Sequence, residues 1–302
     1  MAVEFTDHAA GAYIARDKGW FEAEGIKPTF YSYLTGMSLA AALCRGEIQA
    51  AYLCLLPAIN ARANAGTRIK VVAGTHKHGY ALAINPDRVK SVKDLERPDI
   101  RIGAVRAGGP ADAILLKTIE RYDLDQAGIL SRVRRMSPPM QIMAIQTGKL
   151  DASFSPEHWP AMAEEAGFKI LLRSQDVWPD MQGSVLIVKE ELIRDHPDMV
   201  RKLTAITGKA TTWINQHPEE AASVMAEQLQ IQGDKMFSLE RSGRRAMLKI
   251  SQQAVRRSME RLEYTTHIDS KGVQAAIDFA ARQGYIKKRF RAADILDLRF
   301  SQ

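Results

Sequence analysis

Thiols are scarce in this chain, and long apolar runs are missing. Cys44 and Cys54 are the 2 cysteines among 302 residues, too few for a disulfide framework or a cysteine-built metal cluster. So few thiols suit a cytoplasmic protein or an exported bacterial one. No apolar run approaches the ~20 residues that a transmembrane helix requires. Met1–Thr6 has neither the basic nor the apolar region of a signal peptide. The chain begins almost on a strand, so removal of an upstream leader stays open. The expected location is periplasmic or otherwise extracytoplasmic if a leader was removed, and cytoplasmic if the written start is native. No linker or low-complexity segment interrupts the sequence. Basic residues are scattered without interleaved aromatics, which argues against a nucleic-acid partner. The net charge of +7 and the pI near 9.3 would favour acidic partners or anionic ligands, or reflect only a solvated surface.

What is present is an ordinary globular composition, 46% hydrophobic and 25% charged, with an internal echo. Gly148-Lys149-Leu150-Asp151-Ala152-Ser153-Phe154 leads into Pro160-Ala161, and Gly46-Glu47-Ile48-Gln49-Ala50-Ala51-Tyr52 leads into Pro57-Ala58. One inserted residue aligns the two. In each copy a helical run ends at a glycine able to take positive φ. A short buried strand follows, then a turn into a helix with Pro in its first turn. In open α/β sheets the turn after a strand's carboxyl end is where ligands sit. Two such turns point to two lobes facing each other across a cleft.

The order of elements is an alternating α/β set, a second such set, and an α-helical tail from Glu190 onward. This is an α/β fold with two mixed, mostly parallel sheets flanked by helices. One lobe is expected from 1–84 with 185–302, which includes the C-terminal helices, and the other from 85–184. Tyr80–Ile84 and Ser184–Val188 are the expected crossing strands, and the tail should pack back on the first lobe. The last helices are expected over Ser238–Leu262 and Ser270–Arg282.

Three motifs in order carry a resemblance. Ala15-Arg16-Asp17-Lys18-Gly19-Trp20-Phe21-Glu22-Ala23-Glu24-Gly25-Ile26 resembles the A-x-x-x-G-W/F-F-x-x-E-G-I/L opening of substrate-binding proteins of ABC importers. The branch it resembles serves nitrate, sulfonates, taurine and thiamine-pyrimidine precursors. Gly148-Lys149-Leu150-Asp151-Ala152 is similar to its G-x-I/L-D-A segment, and Gly284-Tyr285-Ile286 with Asp297 to its C-terminal pattern. The resemblance covers essentially the whole chain. It implies a two-lobed type II periplasmic-binding-protein fold closing on a small molecule, with an ABC permease and ATPase as partners and a monomer as the working unit. Gln49, where the family often has Asp, departs from the pattern, as does the missing leader.

Several residues could touch a ligand. Gly108-Gly109-Pro110 precedes a helix, whose N-terminal amides would seat an anion. Arg106 could add a charge-assisted bond; the plainer reading is a turn with a solvated arginine. The resemblance implies ligand contact by this loop. Thr35, Gly36 and Ser38 form a second helix start, either a cap alone or a contact. Asp7 and His8 follow the first strand, where the resemblance implies the first contact loop; a surface turn is the alternative. Glu157 could hold an amine or ring N–H, and Trp159 could stack on a planar ligand, or they are solvated and core respectively. Trp178 could wall the cleft, or merely pack. His76 and His78 flank a lysine, but a metal site needs further ligands not found nearby; neither a metal nor a cofactor is expected, and a hinge-side loop is. Cys44 reads as core. Cys54 sits at a strand-to-helix turn, either lining the cleft or, with a lowered pKa, acting as a nucleophile with His8 or His76 as base. Among relatives of the implied fold are a desulfinase with a cleft cysteine and a pyrimidine synthase with a cysteine-rich segment, which this chain lacks. The expected function is capture of a small anionic or zwitterionic molecule, a sulfonate, carboxylate or pyrimidine type. The alternatives are an enzyme on the same fold and a cytoplasmic ligand sensor.

Overall fold

The structure, a computed structural model, describes residues 1–237 and 249–301. The first part runs β1 (Ala2–Glu4), α1 (Ala10–Asp17), α2 (Trp20–Ala23), β2 (Tyr31–Tyr33), α3 (Gly36–Cys44), β3 (Ala50–Cys54), α4 (Leu55–Ala65), β4 (Ile69–Gly74), β5 (His76–His78) and β6 (Tyr80–Ile84). Then come β7 (Ile102–Ala104), α5 (Pro110–Arg121), α6 (Gln126–Arg132), β8 (Arg134–Arg135), α7 (Pro138–Gln146), β9 (Ala152–Pro156), α8 (Trp159–Glu165), β10 (Lys169–Arg173), α9 (Ser174–Val177) and β11 (Ser184–Lys189). The tail holds α10 (Glu190–Asp195), α11 (Pro197–Gln216), α12 (Pro218–Phe237), α13 (Gln252–Met259), β12 (Leu262–Tyr264) and α14 (Ser270–Arg282).

Two five-stranded sheets form, in the orders β2-β1-β3-β11-β4 and β10-β6-β9-β7-β8. β11 runs antiparallel to β3 and β4, and β6 antiparallel to β9 and β10, while the pairs among β2, β1 and β3 and among β9, β7 and β8 are parallel. The reversed strand in each sheet is one of the two crossing strands. A chain arriving from the opposite sheet inserts against the local direction. Tyr80–Ile84, placed at the end of the first lobe by the sequence reading, pairs throughout with the second sheet. That strand therefore leaves the first segment.

The two copies of the repeat superpose in their chemistry. Gly46 and Gly148 take φ of 84° and 62°. Gly46 N–H bonds to Leu43 O and Glu47 N–H to Ala42 O; Gly148 N–H bonds to Ile145 O and Lys149 N–H to Ala144 O. These are paired 5→2 and 6→1 closures that satisfy the last helix carbonyls. β3 and β9 follow, each 5 residues long. The copies differ where the motif does. Asp151 is buried and accepts from Arg101 N, Nε and Nη2 at 2.9, 2.8 and 2.8 Å, whereas Gln49 is exposed. Cys44, expected in the core, is exposed, with Thr67 Oγ1 donating to its sulfur at 3.0 Å.

The tail is amphipathic and binds both halves. α11 buries Val200, Leu203, Ile206, Thr207, Ala210 and Ile214, the stripe of a helix lying on a core. Tyr52 and Thr207 share a hydrogen bond of 2.7 Å beneath the first sheet, and Val71 N–H bonds to Ile295 O while accepting from Asp297 N–H. Ser238–Leu262 is not one helix. Its first part lies outside the described residues, and α13 is followed by β12, which pairs with β5. The segment expected as a hinge-side loop at His76 and His78 is thus a strand. No helix among the described residues is long and apolar enough to cross a membrane.

Candidate functional site

The carboxyl ends of β1, β2, β3, β7, β8 and β9 and the amino end of β6 converge on one cleft between the sheets. Glu4, Thr6, Thr35, Gly36, Met37 and Cys54 line it from one side, and Tyr80, Arg106, Gly109, Pro110, Pro138 and Pro156 from the other. Its empty space, mouth included, is about 470 Å³. The walls are mostly apolar, with a few converging polar groups, as small-molecule sites are.

Two helix starts face this space. Thr35 caps α3 through a reciprocal bond with Ser38, so Ser38 serves the cap while Thr35 and Gly36 line the cleft. The turn is a cap, and its Thr35 and Gly36 also face the cleft. A Cβ on Gly36 would stand 2.5 Å from Glu4 Oε1 and 3.0 Å from Pro57 Cγ. Glycine is required because the helix start passes directly over the carboxyl group. Opposite, Gly109 caps α5 and Pro110 opens it, leaving first-turn amides without intrahelical partners. Gly108 takes φ of 83°, and its N–H is held by Asp112 at 3.0 Å, so it shapes the loop and does not line the cleft. Asp112 is buried and also accepts from Arg135 and from the Tyr285 hydroxyl. Arg106 is exposed at the mouth and makes no ion pair among the described residues.

The floor is a buried polar cluster. Glu4 Oε1 accepts from Cys54 N–H at 2.8 Å, and Cys54 Sγ donates to Glu4 Oε2 at 3.2 Å. Tyr80 Oη lies 2.8 Å from Cys54 Sγ, and Ser184 Oγ donates to that sulfur at 3.3 Å. Burial pushes the Glu4 carboxyl up to about 7, against the pull of its bonds from Cys54. Burial, then the neighbouring Glu4, push the Cys54 thiol well above its usual range. That is the reverse of the lowered pKa a nucleophilic thiol needs, although Cys54 stands at the N-cap position of α4, without a side-chain capping bond. His8 is buried behind Cys54, its Nε2 2.8 Å from Gly79 O and its Nδ1 3.7 Å from Cys54 Sγ. Burial lowers it to about 3, so it stays neutral.

Seven residues proposed from the sequence do not line the cleft: Ser38, Gly108 and His8, described above, and Asp7, Glu157, Trp159 and Trp178. Asp7 is buried beneath it, accepting from the Ser258 hydroxyl, with its carbonyl bonded to Tyr264 Oη at 3.1 Å. Burial raises its carboxyl to about 8. Glu157 turns toward the tail and pairs with Arg261 at 3.2 Å. Trp159 is buried against Phe5 and His158, at ring distances of 6.0 and 4.6 Å. Trp178 packs on Phe279 at 5.0 Å. The turn after β9 aims Glu157 at Arg261 and Trp159 at Phe5, and of its residues only Pro156 lines the cleft. Conversely, Glu4, Thr6, Tyr80 and Pro138 line it without having been singled out. Glu4 had a signal, as a lone charge inside the otherwise apolar run Ala2-Val3-Glu4-Phe5. His76 and His78 do not share a site. His76 packs against His8 with the rings tilted and 4.4 Å apart, and His78 lies by Glu263 at 3.9 Å.

The sequence profile of the NMT1-like family matches residues 2–230. The chain belongs to the NMT1-like family. A protein of Brucella abortus (strain 2308) named as a binding protein is 25% identical over 72% of this chain and 67% of its own length. A protein of Bacillus subtilis (strain 168) named as an aliphatic sulfonates-binding protein is 24% identical over 95% of this chain and 82% of its own. Among solved structures, the alkanesulfonate-binding protein SsuA of Xanthomonas axonopodis pv. citri bound to MOPS overlays with a TM-score of 0.80. The two are 16% identical, with 99% of this chain and 98% of that chain covered. This NMT1-like chain has the two-lobed periplasmic-binding-protein fold.

Proposed function

We propose that this NMT1-like protein is the solute-binding component of an ABC importer and captures a small anionic or zwitterionic organic molecule between its two lobes. A sulfonate, a carboxylate or a pyrimidine-type compound fits this chemistry. The observation that carries the reading is the pairing of α3 and α5, whose N-termini open onto one cleft between the sheets. Arg106 at the mouth and the first turn of α5 suit an acidic group. Glu4 and Tyr80 at the floor suit the polar end of a zwitterion or a ring N–H. Relatives named for sulfonate binding add support.

Lobe closure does the work. Solute makes more contacts in the closed state and shifts the open–closed equilibrium by that difference. The working location is then extracytoplasmic, the partners are a permease and an ATPase, and the protein acts as a monomer. No bond is made or broken in this reading; burial and the neighbouring Glu4 push the Cys54 thiol upward, which argues against its use as a nucleophile. Thermal-shift screening of sulfonates, carboxylates, nitrate and pyrimidines in chelator tests this. A true solute at 100 times its Kd adds roughly 2.7 kcal/mol of stability. A full panel without any shift would remove the reading.

A further inference from the structure

The floor of the cleft brings together three donors, Glu4 and His8 from the stretch around the end of β1 and Cys54 from the end of β3. The candidate ligand atoms of Glu4, His8 and Cys54 all lie within 4.8 Å of one another, and all three residues are buried. Measured pairwise, Cys54 Sγ is 3.2 Å from Glu4 Oε2 and 3.7 Å from His8 Nδ1. Tetrahedral zinc with ordinary bond lengths separates its sulfur, nitrogen and oxygen ligands by about 3.4–3.6 Å. The two separations from the sulfur already lie close to those values, and the Glu4–His8 pair closes from at most 4.8 Å.

Each donor is also oriented from behind. His8 Nε2 faces the carbonyl of Gly79, which can only accept, so the ring proton sits on Nε2 and the Nδ1 lone pair points at the cluster. A backbone carbonyl on the outer nitrogen is the support that metal-binding histidines have. Gly79 allows it through a φ of 87°, and a Cβ there would stand 2.7 Å from His8 Nε2. Glu4 is anchored by Cys54 N–H at Oε1, which leaves Oε2 to the sulfur side. Tyr80 and Ser184 can donate to a thiolate at Sγ. Glu4 and Cys54 line the cleft, so the open side of the trio faces solute.

We propose that Glu4, His8 and Cys54 form a binding site for a borderline divalent cation of the zinc type, three-coordinated by protein, with its fourth position open to the cleft. A carboxylate, a thiolate and a neutral imidazole suit Zn²⁺ better than Mg²⁺ or Ca²⁺, which take oxygen donors. Binding displaces the protons of the carboxyl and the thiol, and the two resulting negative charges balance the ion. No redox step is involved. The inference stands on the cluster alone and does not depend on which solute the cleft takes.

The test titrates the chelator-treated full-length protein with ZnCl₂ and, separately, CoCl₂. One site per chain is expected. With Co²⁺ it should show the near-ultraviolet thiolate-to-metal band and the strong visible absorption of a four-coordinate ion. Cys54→Ser and His8→Gln should each weaken Zn²⁺ at least tenfold, while Cys44→Ser leaves binding unchanged. Circular dichroism in chelator checks that the variants are folded. Should Cys54→Ser not fold, Glu4→Gln and the wild-type cobalt spectrum carry the test. Absence of Zn²⁺ binding at micromolar protein, a six-coordinate cobalt spectrum without the thiolate band, or full affinity in folded Cys54→Ser would each overturn the site. The solute screen is run in chelator, so its failure is read separately from failure of this site.

Discussion

Replacing Glu4 by Gln should stabilise the protein in alkaline solution and do little in acid. The native carboxyl is raised from 4.5 to about 7 by burial, so the folded state holds its proton more tightly than the unfolded chain. The stabilisation from that proton is complete below the unfolded pKa and is lost as pH rises through the folded one. Between pH 5 and pH 8 the loss is about 2–3 kcal/mol, from 1.36 kcal/mol per unit of separation. Gln cannot ionise, and its carbonyl can still accept from Cys54 N–H. The midpoint difference between Glu4→Gln and wild type should therefore grow by roughly 5 °C over that range. Scanning calorimetry at pH 5 and pH 8 in chelator measures it. Asp7 and Glu157, raised to about 8 and about 7, titrate in both proteins and cancel in the comparison. A difference that stays constant with pH would refute the claim that Glu4 is buried and protonated in the native state.

Other perturbations probe the cleft and its support. Arg106→Ala should weaken an anionic solute by ~1.5–3 kcal/mol, read by calorimetric titration, and move the melting point little because the side chain is exposed. Gly36→Ala drives a methyl into Glu4 Oε1 at 2.5 Å and should cost about 1–3 kcal/mol in urea unfolding. Arg261→Met strands Glu157, whose side chain is 1% exposed, and should cost roughly 3–5 kcal/mol. Adding Glu157→Gln to that variant should restore part of the loss, and no recovery would argue against the ion pair.

What was legible in the sequence was local chemistry. Gly46 and Gly148 announced their helix ends because positive φ is a property of one residue, and the strands after them were short apolar runs. The Gly108-Gly109-Pro110 turn and the Thr35 cap were readable for the same reason. Directions set by distant partners were not. Trp178, Trp159 and Glu157 stand next to strand ends, but Phe279, Phe5 and Arg261 turn them inward. β5 and β12 are 3-residue strands that exist only as a pair, so neither segment marks itself. Cys54 was placed at the right turn, where it lines the cleft; the alternative of a nucleophilic thiol is disfavoured because burial and the unforeseen Glu4 outweigh its position at a helix start. The donor trio was hidden because Cys54 joins Glu4 and His8, which stand close together in the chain, only through the pairing of β1 with β3.

Asp112 has one further implication. Its carboxylate ties the Gly108 amide to Tyr285, a residue made long after the loop itself. A ribosome must therefore extend the chain past Tyr285 before the Arg106 loop can acquire its final shape. Nascent chains and C-terminally clipped fragments should both be blind to solute, even with every residue of the cleft wall already made.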